Sequence, residues 1–176
     1  MLQDVKIKTE QVEGQQCRVC ARIDIPYSLE QVWQVLTDYE TYDEFIPNLI
    51  HNRLLNRSTD KIILEQVRLK SFMGMKFYAR TVIGIEEKLP NKIHYQLIEG
   101  DFKDLSGCYQ LEPWVLTNSQ TGIKLYHNFL VWPKRMQPVK LVEDVLRNDE
   151  PMNLLAIHQR VEKLFGGNKT EVVKTC

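Results

Sequence analysis

The sequence lacks an excess of charge of either sign, a long apolar run and an N-terminal targeting pattern. Its 176 residues carry 23 Lys and Arg against 23 Asp and Glu, so nothing draws it generally to phosphate backbones, and no nucleic-acid partner is expected. Apolar stretches such as 129–132 are far shorter than the roughly 20 residues that a membrane-spanning helix needs, so no integral membrane association is expected. Residues 1–6 show no basic segment followed by an apolar one. We therefore expect a cytoplasmic protein.

Cysteine is scarce, and its arrangement does not predict a metal site. Two of the 4 cysteines, Cys17 and Cys20, form a CxxC within a strand-like pattern. Residues three apart on a strand point to opposite faces, so these thiols cannot converge on one ion. The sequence also lacks a Ser/His/Asp set, a phosphate-binding loop and an HExxH motif. We expect neither a metal ion nor a cofactor.

Length and composition predict one globular domain. The chain is close to the roughly 150 residues of a single domain, and its 43% hydrophobic and 26% charged residues are typical of globular proteins. We expect a lead-in segment over 1–15, one domain over 16–165 and a flexible tail over 166–176, which has too little apolar surface to order itself.

The order of the predicted elements is strand, two short helices, six strands and a long helix. A period-two alternation over 16–26 predicts the first strand, which ends at Pro26. Ser28 and Gln31 form a capping box that begins a helix over about 29–38, and a second short helix covers 39–46. Six strand-length segments separated by turn residues predict an antiparallel meander; they are 48–57, 61–71, 75–87, 92–98, 104–112 and 122–132.

The last predicted element is a helix with two apolar stripes. Val139, Val142 and Leu146 form the first, and the second runs from Leu154 through Ile157 to Phe165. Pro151 lies between them, so we expect a kink or short break there, with the helix restarting at Asn148 or Asp149.

Relative widths predict a cavity. Seven strands make a sheet roughly 30 Å wide, whereas one helix covers about 10 Å. The sheet must curl around the helix, the short helices must close one end, and a gap remains. The alternative is a filled core, since native interiors hold few voids. The residues expected to wall the gap are Met75, Phe77, Ile83, Leu105, Phe129, Leu154 and Ile157. The facing of 61–71 stays ambiguous, because apolar residues occur on both of its sides.

Three polar residues also fall on predicted inner rows of the sheet. They are Thr81, Tyr109 and His127. An inward-facing His127 is a candidate for a catalytic role, and an ordinary hydrogen-bonded core histidine is the alternative. The phenol of Tyr109 could orient a ligand carbonyl or bind a backbone group. The adjacent acids Asp149 and Glu150 are interpreted as a solvated face or a helix start.

Three sets of residues carry a family resemblance across about 16–165. The first is Asp24-Ile25-Pro26 with 32–40 and Phe45-Ile46-Pro47-Asn48; the second is 100–103 with Gly107, Tyr109 and 111–113; the third is Pro151 with 153–162. They resemble the START-like (SRPBCC) superfamily, in its polyketide cyclase/dehydrase and coenzyme Q-binding branch. The resemblance implies an α+β helix-grip fold, in which a seven-stranded curved antiparallel sheet wraps a long C-terminal helix. Tyr109 departs from it, since relatives often carry Trp there.

Residues and resemblance together favour binding of a hydrophobic small molecule, such as a quinone, lipid or polyketide-like compound, without chemistry. The candidate ligand-binding residues are Met75, Phe77, Thr81, Ile83, Leu105, Tyr109, His127, Phe129, Leu154 and Ile157. No catalytic residue is assigned. One alternative is a cyclase or dehydratase using His127 or Tyr109 in proton transfer. Another is an interaction protein with a ribosome or protein partner, like the ribosome-associating relatives in the superfamily.

Overall fold

The computed structural model describes residues 4–72, 74–115, 120–134 and 139–168. In this part of the chain, eight strands and two α-helices follow one another. The strands are β1 (Lys6–Gln11), β2 (Cys17–Ile25), β3 (Leu49–Arg57), β4 (Ile62–Phe72), β5 (Met75–Lys88), β6 (Lys92–Gly100), β7 (Phe102–Val115) and β8 (Thr121–Pro133). The helices are α1 (Leu29–Thr37) and α2 (Val139–Phe165), with 3₁₀ helices at Tyr39–Glu44 and Gly166–Asn168.

All strands join one antiparallel sheet in the order β1-β2-β8-β7-β6-β5-β4-β3. The predicted six-strand meander is confirmed, because β3 to β8 pair as consecutive neighbours. The helices after β2 carry the chain to the far edge of the sheet, where β3 begins. The α+β helix-grip architecture is therefore as expected, with one strand more than predicted.

The additional strand, β1, lies within the predicted lead-in. It pairs with β2 at the edge of the sheet, from Lys6 opposite Arg22 to Gln11 opposite Cys17. Hydrophobic alternation does not predict β1, because Ile7 is the one apolar residue among its six. Such a composition is typical of an edge strand protected by charge. Of the predicted tail, residues 169–176 lie outside the described residues.

Local sequence explains the start of α1 as predicted. The backbone N–H of Gln31 donates to Ser28 Oγ, and the backbone N–H of Ser28 donates to Gln31 Oε1, which completes the capping box. Val32, Val35 and Leu36 are buried on the inner side of the helix. They pack with the C-terminal half of α2 into the main core.

Of the kink or short break expected at Pro151, the break and the helix restart are wrong, because α2 runs through the proline. Proline lacks an N–H, so the helix forgoes one backbone hydrogen bond there. Its neighbours hold the helix in place on both sides. Glu150 is buried against β8, and Leu154 is fully buried in the core.

Candidate functional site

A cavity of about 670 Å³ lies between the curved sheet and α2. Its volume is within the range of small-molecule sites. Most of its wall is apolar and is supplied by the middle strands and by the first half of α2. The apolar lining residues are Leu64, Phe77, Ala79, Ile83, Ile85, Ile93, Phe102, Leu105, Phe129, Val131, Pro133, Leu141, Val142, Val145 and Leu146.

Seven of the ten predicted binding residues line this cavity. They are Phe77, Thr81, Ile83, Leu105, Tyr109, His127 and Phe129. They come from β5, β7 and β8, where strict alternation made the inward side readable from the sequence. The structure thus brings together the polar and apolar inner rows that the alternation predicts.

The other three predicted residues lie elsewhere. Met75 is at the start of β5 and is 56% exposed, because the hairpin extends beyond the part of the sheet that α2 covers. Leu154 and Ile157 are buried in the filled core with Val32 and Leu36 of α1. The short helices fill the space under the second half of α2, so the gap exists only under its first half.

Inside the cavity, three side chains form a hydrogen-bonded chain. Tyr95 Oη lies 2.8 Å from His127 Nε2, and His127 Nδ1 lies 2.5 Å from Glu150 Oε1. His127 and Glu150 are both buried. The ring of Tyr109 stacks on the imidazole, with centroids 3.9 Å apart and planes at 7°. A histidine held at both nitrogens and on one face has a fixed orientation.

Strand register explains how these groups meet. Tyr109 stands directly opposite His127 in the β7–β8 ladder, which permits the stack. Tyr95 belongs to β6, so it must cross β7 to reach β8, and it passes over Gly107. An added Cβ at Gly107 would lie 2.3 Å from Tyr95 Oη and 2.8 Å from Phe129 Cβ. The absence of a side chain at Gly107 therefore allows the hydrogen bond between Tyr95 and His127.

Burial keeps the cavity tyrosines protonated. It raises the pKa of Tyr95 and of Tyr109 well above the usual value, and the negative charge of Glu150 acts in the same direction. The positive charge of Arg68 opposes the increase in both pKa values. Both hydroxyls can therefore donate hydrogen bonds at neutral pH.

Sequence reasoning missed the polar residues that β4 contributes to the cavity. Gln66, Arg68 and Lys70 line it two residues apart, continuing the row of Leu64. Lys70 Nζ forms an ion pair with Asp149 of α2. Burial lowers the pKa of Lys70, and Asp149 opposes that decrease. The signal was the ambiguous alternation over 61–71: an inner row that changes from apolar to basic cannot be recognised by hydrophobicity.

The acidic pair in α2 was also misread. Asp149 and Glu150 both face the cavity rather than solvent, since the first pairs with Lys70 and the second with His127. Lys70 of β4 and His127 of β8 meet the same turn of α2 only in the folded protein. The residues next to Asp149 and Glu150 in the sequence therefore could not reveal these partners.

The described residues offer no group of His, Cys, Asp and Glu side chains that could hold a metal ion. Cys17 is buried and Cys20 is exposed on the opposite face of β2. Neither described helix combines the length and apolarity needed to cross a bilayer.

Comparison with known proteins places this geometry in a family. A family model described as polyketide cyclase/dehydrase and lipid transport matches residues 25–172. A STAR-related lipid transfer protein from Xanthomonas axonopodis superimposes with a TM-score of 0.70 at 15% identity, covering 90% of this chain and 93% of that structure. The Zhui aromatase/cyclase from Streptomyces sp. R1128 superimposes with a TM-score of 0.68 at 14% identity, covering 88% of this chain and 99% of that structure.

A relative with a different name matches a shorter stretch. The ribosome association toxin RatA of Escherichia coli K12 is 26% identical over 89 residues, which is 51% of this chain and 54% of that protein. The match thus spans about half the length of that relative. The family model covers most of the chain, and the aromatase/cyclase and lipid transfer structures share its fold over 88% and 90% of its length: the protein belongs to the polyketide cyclase/dehydrase and lipid transport family.

Proposed function

We propose that this protein binds a hydrophobic or amphipathic small molecule, such as a quinone, lipid or polyketide-like compound, and carries or sequesters it. The observation that carries the proposal is the cavity of about 670 Å³ with a mostly apolar wall. Native interiors are close-packed, and a void of this size forfeits packing energy unless something occupies it. Membership of a lipid transport family supports the same ligand class.

A cavity-filling variant tests this proposal. Val145 lines the cavity from α2, and Val145→Trp would place an indole in the ligand space. Val115→Trp is the matched control, because Val115 is 72% exposed and does not line the cavity. We expect Val145→Trp to weaken binding of the neutral dye Nile red about tenfold or more, and Val115→Trp to leave it unchanged. Equal binding by both variants contradicts the proposal, as does consistent absence of any apolar compound in native mass spectra of protein purified from its own host.

A cyclase or dehydratase is the second candidate, and the chain Tyr95–His127–Glu150 favours it. In a dehydration, His127 Nε2 would take a proton from the carbon beside a ligand carbonyl, and a tyrosine hydroxyl would protonate the departing hydroxide to give water. The hydrogen bond between His127 and Tyr95 would then return the proton to the phenolate. Tyr109 would hold the imidazole by stacking.

The test uses a β-hydroxy ketone, whose dehydration gives an enone with a measurable absorbance. His127→Gln and Tyr95→Phe are expected to abolish turnover while Nile red still binds. Thr81→Val is the control, because Thr81 lines the cavity outside the hydrogen-bonded chain. Turnover that survives both substitutions rules this function out.

A cytoplasmic site of action belongs to the ligand-binding proposal and is supported by the free thiols of Cys17, Cys20 and Cys108.

A ribosome-associating interaction protein is the third candidate function, and the half-length match to RatA favours it. Co-sedimentation of the purified protein with ribosomes tests it, and a protein that stays in the supernatant contradicts it.

A further inference from the structure

The polar row that β4 contributes to the cavity consists of Gln66, Arg68 and Lys70, and only two of these side chains have a partner. Gln66 Nε2 donates to Asn52 Oδ1 at 3.0 Å, and Lys70 is paired with Asp149. Arg68 lies between them, lines the same cavity and is only partly exposed. Among the described residues, its guanidinium has no hydrogen-bond partner and no ion-pair partner.

The carboxylates that line the cavity are all engaged elsewhere. Asp149 pairs with Lys70, Glu150 binds His127, and Asp101 Oδ2 accepts from the backbone N–H of Arg80 at 2.7 Å. A guanidinium has five N–H donors and stays charged at any working pH. Arg68 therefore presents an unpaired guanidinium to a largely apolar space.

The charge of Arg68 acts within the cavity rather than away from it. Burial raises the pKa of Tyr42, Tyr95 and Tyr109, three tyrosines that line the cavity, and the positive charge of Arg68 opposes that increase. The same charge also lowers the pKa of the neighbouring Lys70. These tyrosines come from the first 3₁₀ helix, β6 and β7, and they line the same cavity as Arg68.

We propose that the cavity selects ligands that carry a carboxylate, and that Arg68 binds this group while the apolar wall holds the rest of the molecule. The planar fork of a guanidinium matches the two oxygens of a carboxylate, and such charge-assisted bonds are about twice as strong as neutral ones. The protonated Tyr109 hydroxyl offers a further donor. This inference rests on the proposed binding function and adds the chemical class of the ligand.

The test compares an acid with its neutral match. Dodecanoate and methyl dodecanoate share one apolar chain, and both can be titrated against bound Nile red. In the wild type we expect the acid to bind about tenfold tighter or more, the discrimination that one charge-assisted pair supplies. Arg68→Gln is expected to remove that preference and to leave the affinity for the ester within about twofold. Lys76→Gln, which removes a charge from an exposed residue outside the cavity lining, is the control and is expected to keep the preference.

Arg68→Met gives an independent readout. Replacing an unpaired, partly buried charge by an apolar side chain of similar length should raise the melting temperature of the ligand-free protein. Equal affinity for acid and ester in the wild type, or a preference for the acid that survives Arg68→Gln, overturns the inference. If the ester still binds in either case, the proposal that the cavity holds an apolar ligand stands. Failure of both compounds to displace the dye contradicts the cavity proposal itself, and the inference with it.

Discussion

Gly107→Ala is the sharpest perturbation of the polar chain, because it acts through a single methyl group. The new Cβ would lie 2.3 Å from Tyr95 Oη and 2.4 Å from Tyr95 Cζ, with Phe129 Cβ at 2.8 Å on the other side. Real Cβ atoms do not approach other heavy atoms this closely. The ring of Tyr95 must therefore move, and its hydrogen bond to His127 Nε2 is lost.

The expected cost has two parts. Overpacking a well-packed interior costs about 1–3 kcal/mol, and losing a buried hydrogen bond adds about 1 kcal/mol. For a chain of this size, each kcal/mol lowers the melting temperature by about 2–4 °C. We expect Gly107→Ala to destabilise the protein by about 2–4 kcal/mol, and to lower the melting temperature by roughly 4–16 °C.

Thermal unfolding followed by circular dichroism measures this, with Gly84→Ala as the control. A Cβ at Gly84 would meet only the flexible end of Ile98, at 3.3 Å, and Ile98 is 54% exposed and free to turn aside. We expect the control to stay within about 1 kcal/mol of the wild type. A Gly107→Ala protein that melts with the control would refute the argument that this position must lack a side chain.

Three further predictions concern stability. His127→Leu should cost about 3–5 kcal/mol because it leaves the buried Glu150 carboxylate unpaired, and adding Glu150→Leu should recover most of that loss in a urea double-mutant cycle; additive losses contradict the pairing. Burial lowers the pKa of His158 below 6.5, so the unfolded chain binds a proton at a higher pH than the folded protein, and stability falls as the pH drops below about 6.5. His158→Leu should reduce the drop in urea midpoint between pH 7 and pH 5, and a drop equal to that of the wild type contradicts this prediction. Ser28→Ala should cost about 1 kcal/mol through loss of the capping box, and an unchanged urea midpoint would discount that cap.

The sequence predicted those parts of the fold in which one local signal decides the outcome. The capping box at Ser28 begins α1 as expected, and the alternation in β5, β7 and β8 placed Thr81, Tyr109 and His127 on the inner side. Both signals operate within a few residues. The family resemblance added the overall helix-grip arrangement.

The parts that were missed depend on neighbours distant in sequence. β1 has one apolar residue and exists because β2 offers it an edge to pair with. Arg68 and Lys70 face inward because the C-terminal half of β4 borders a cavity, where polar side chains are tolerated, rather than the filled core. Leu154 was expected at the cavity because its helical stripe is apolar, yet the packing of α1 decided that this stretch of α2 is in the filled core.

The two halves of α2 lie in different surroundings. The half after Pro151 is buried in the main core against α1 and β2, so its side chains contribute directly to the stability of the domain. The half before it borders the cavity, packs Val142 and Leu146 against the smaller core cluster, and is tied to the sheet by the ion pairs of Asp149 and Glu150. Substitutions at the apolar cavity-lining positions Leu141 and Val145 can therefore reshape the cavity at a lower cost to folding than substitutions at the fully buried Leu154 and Val161.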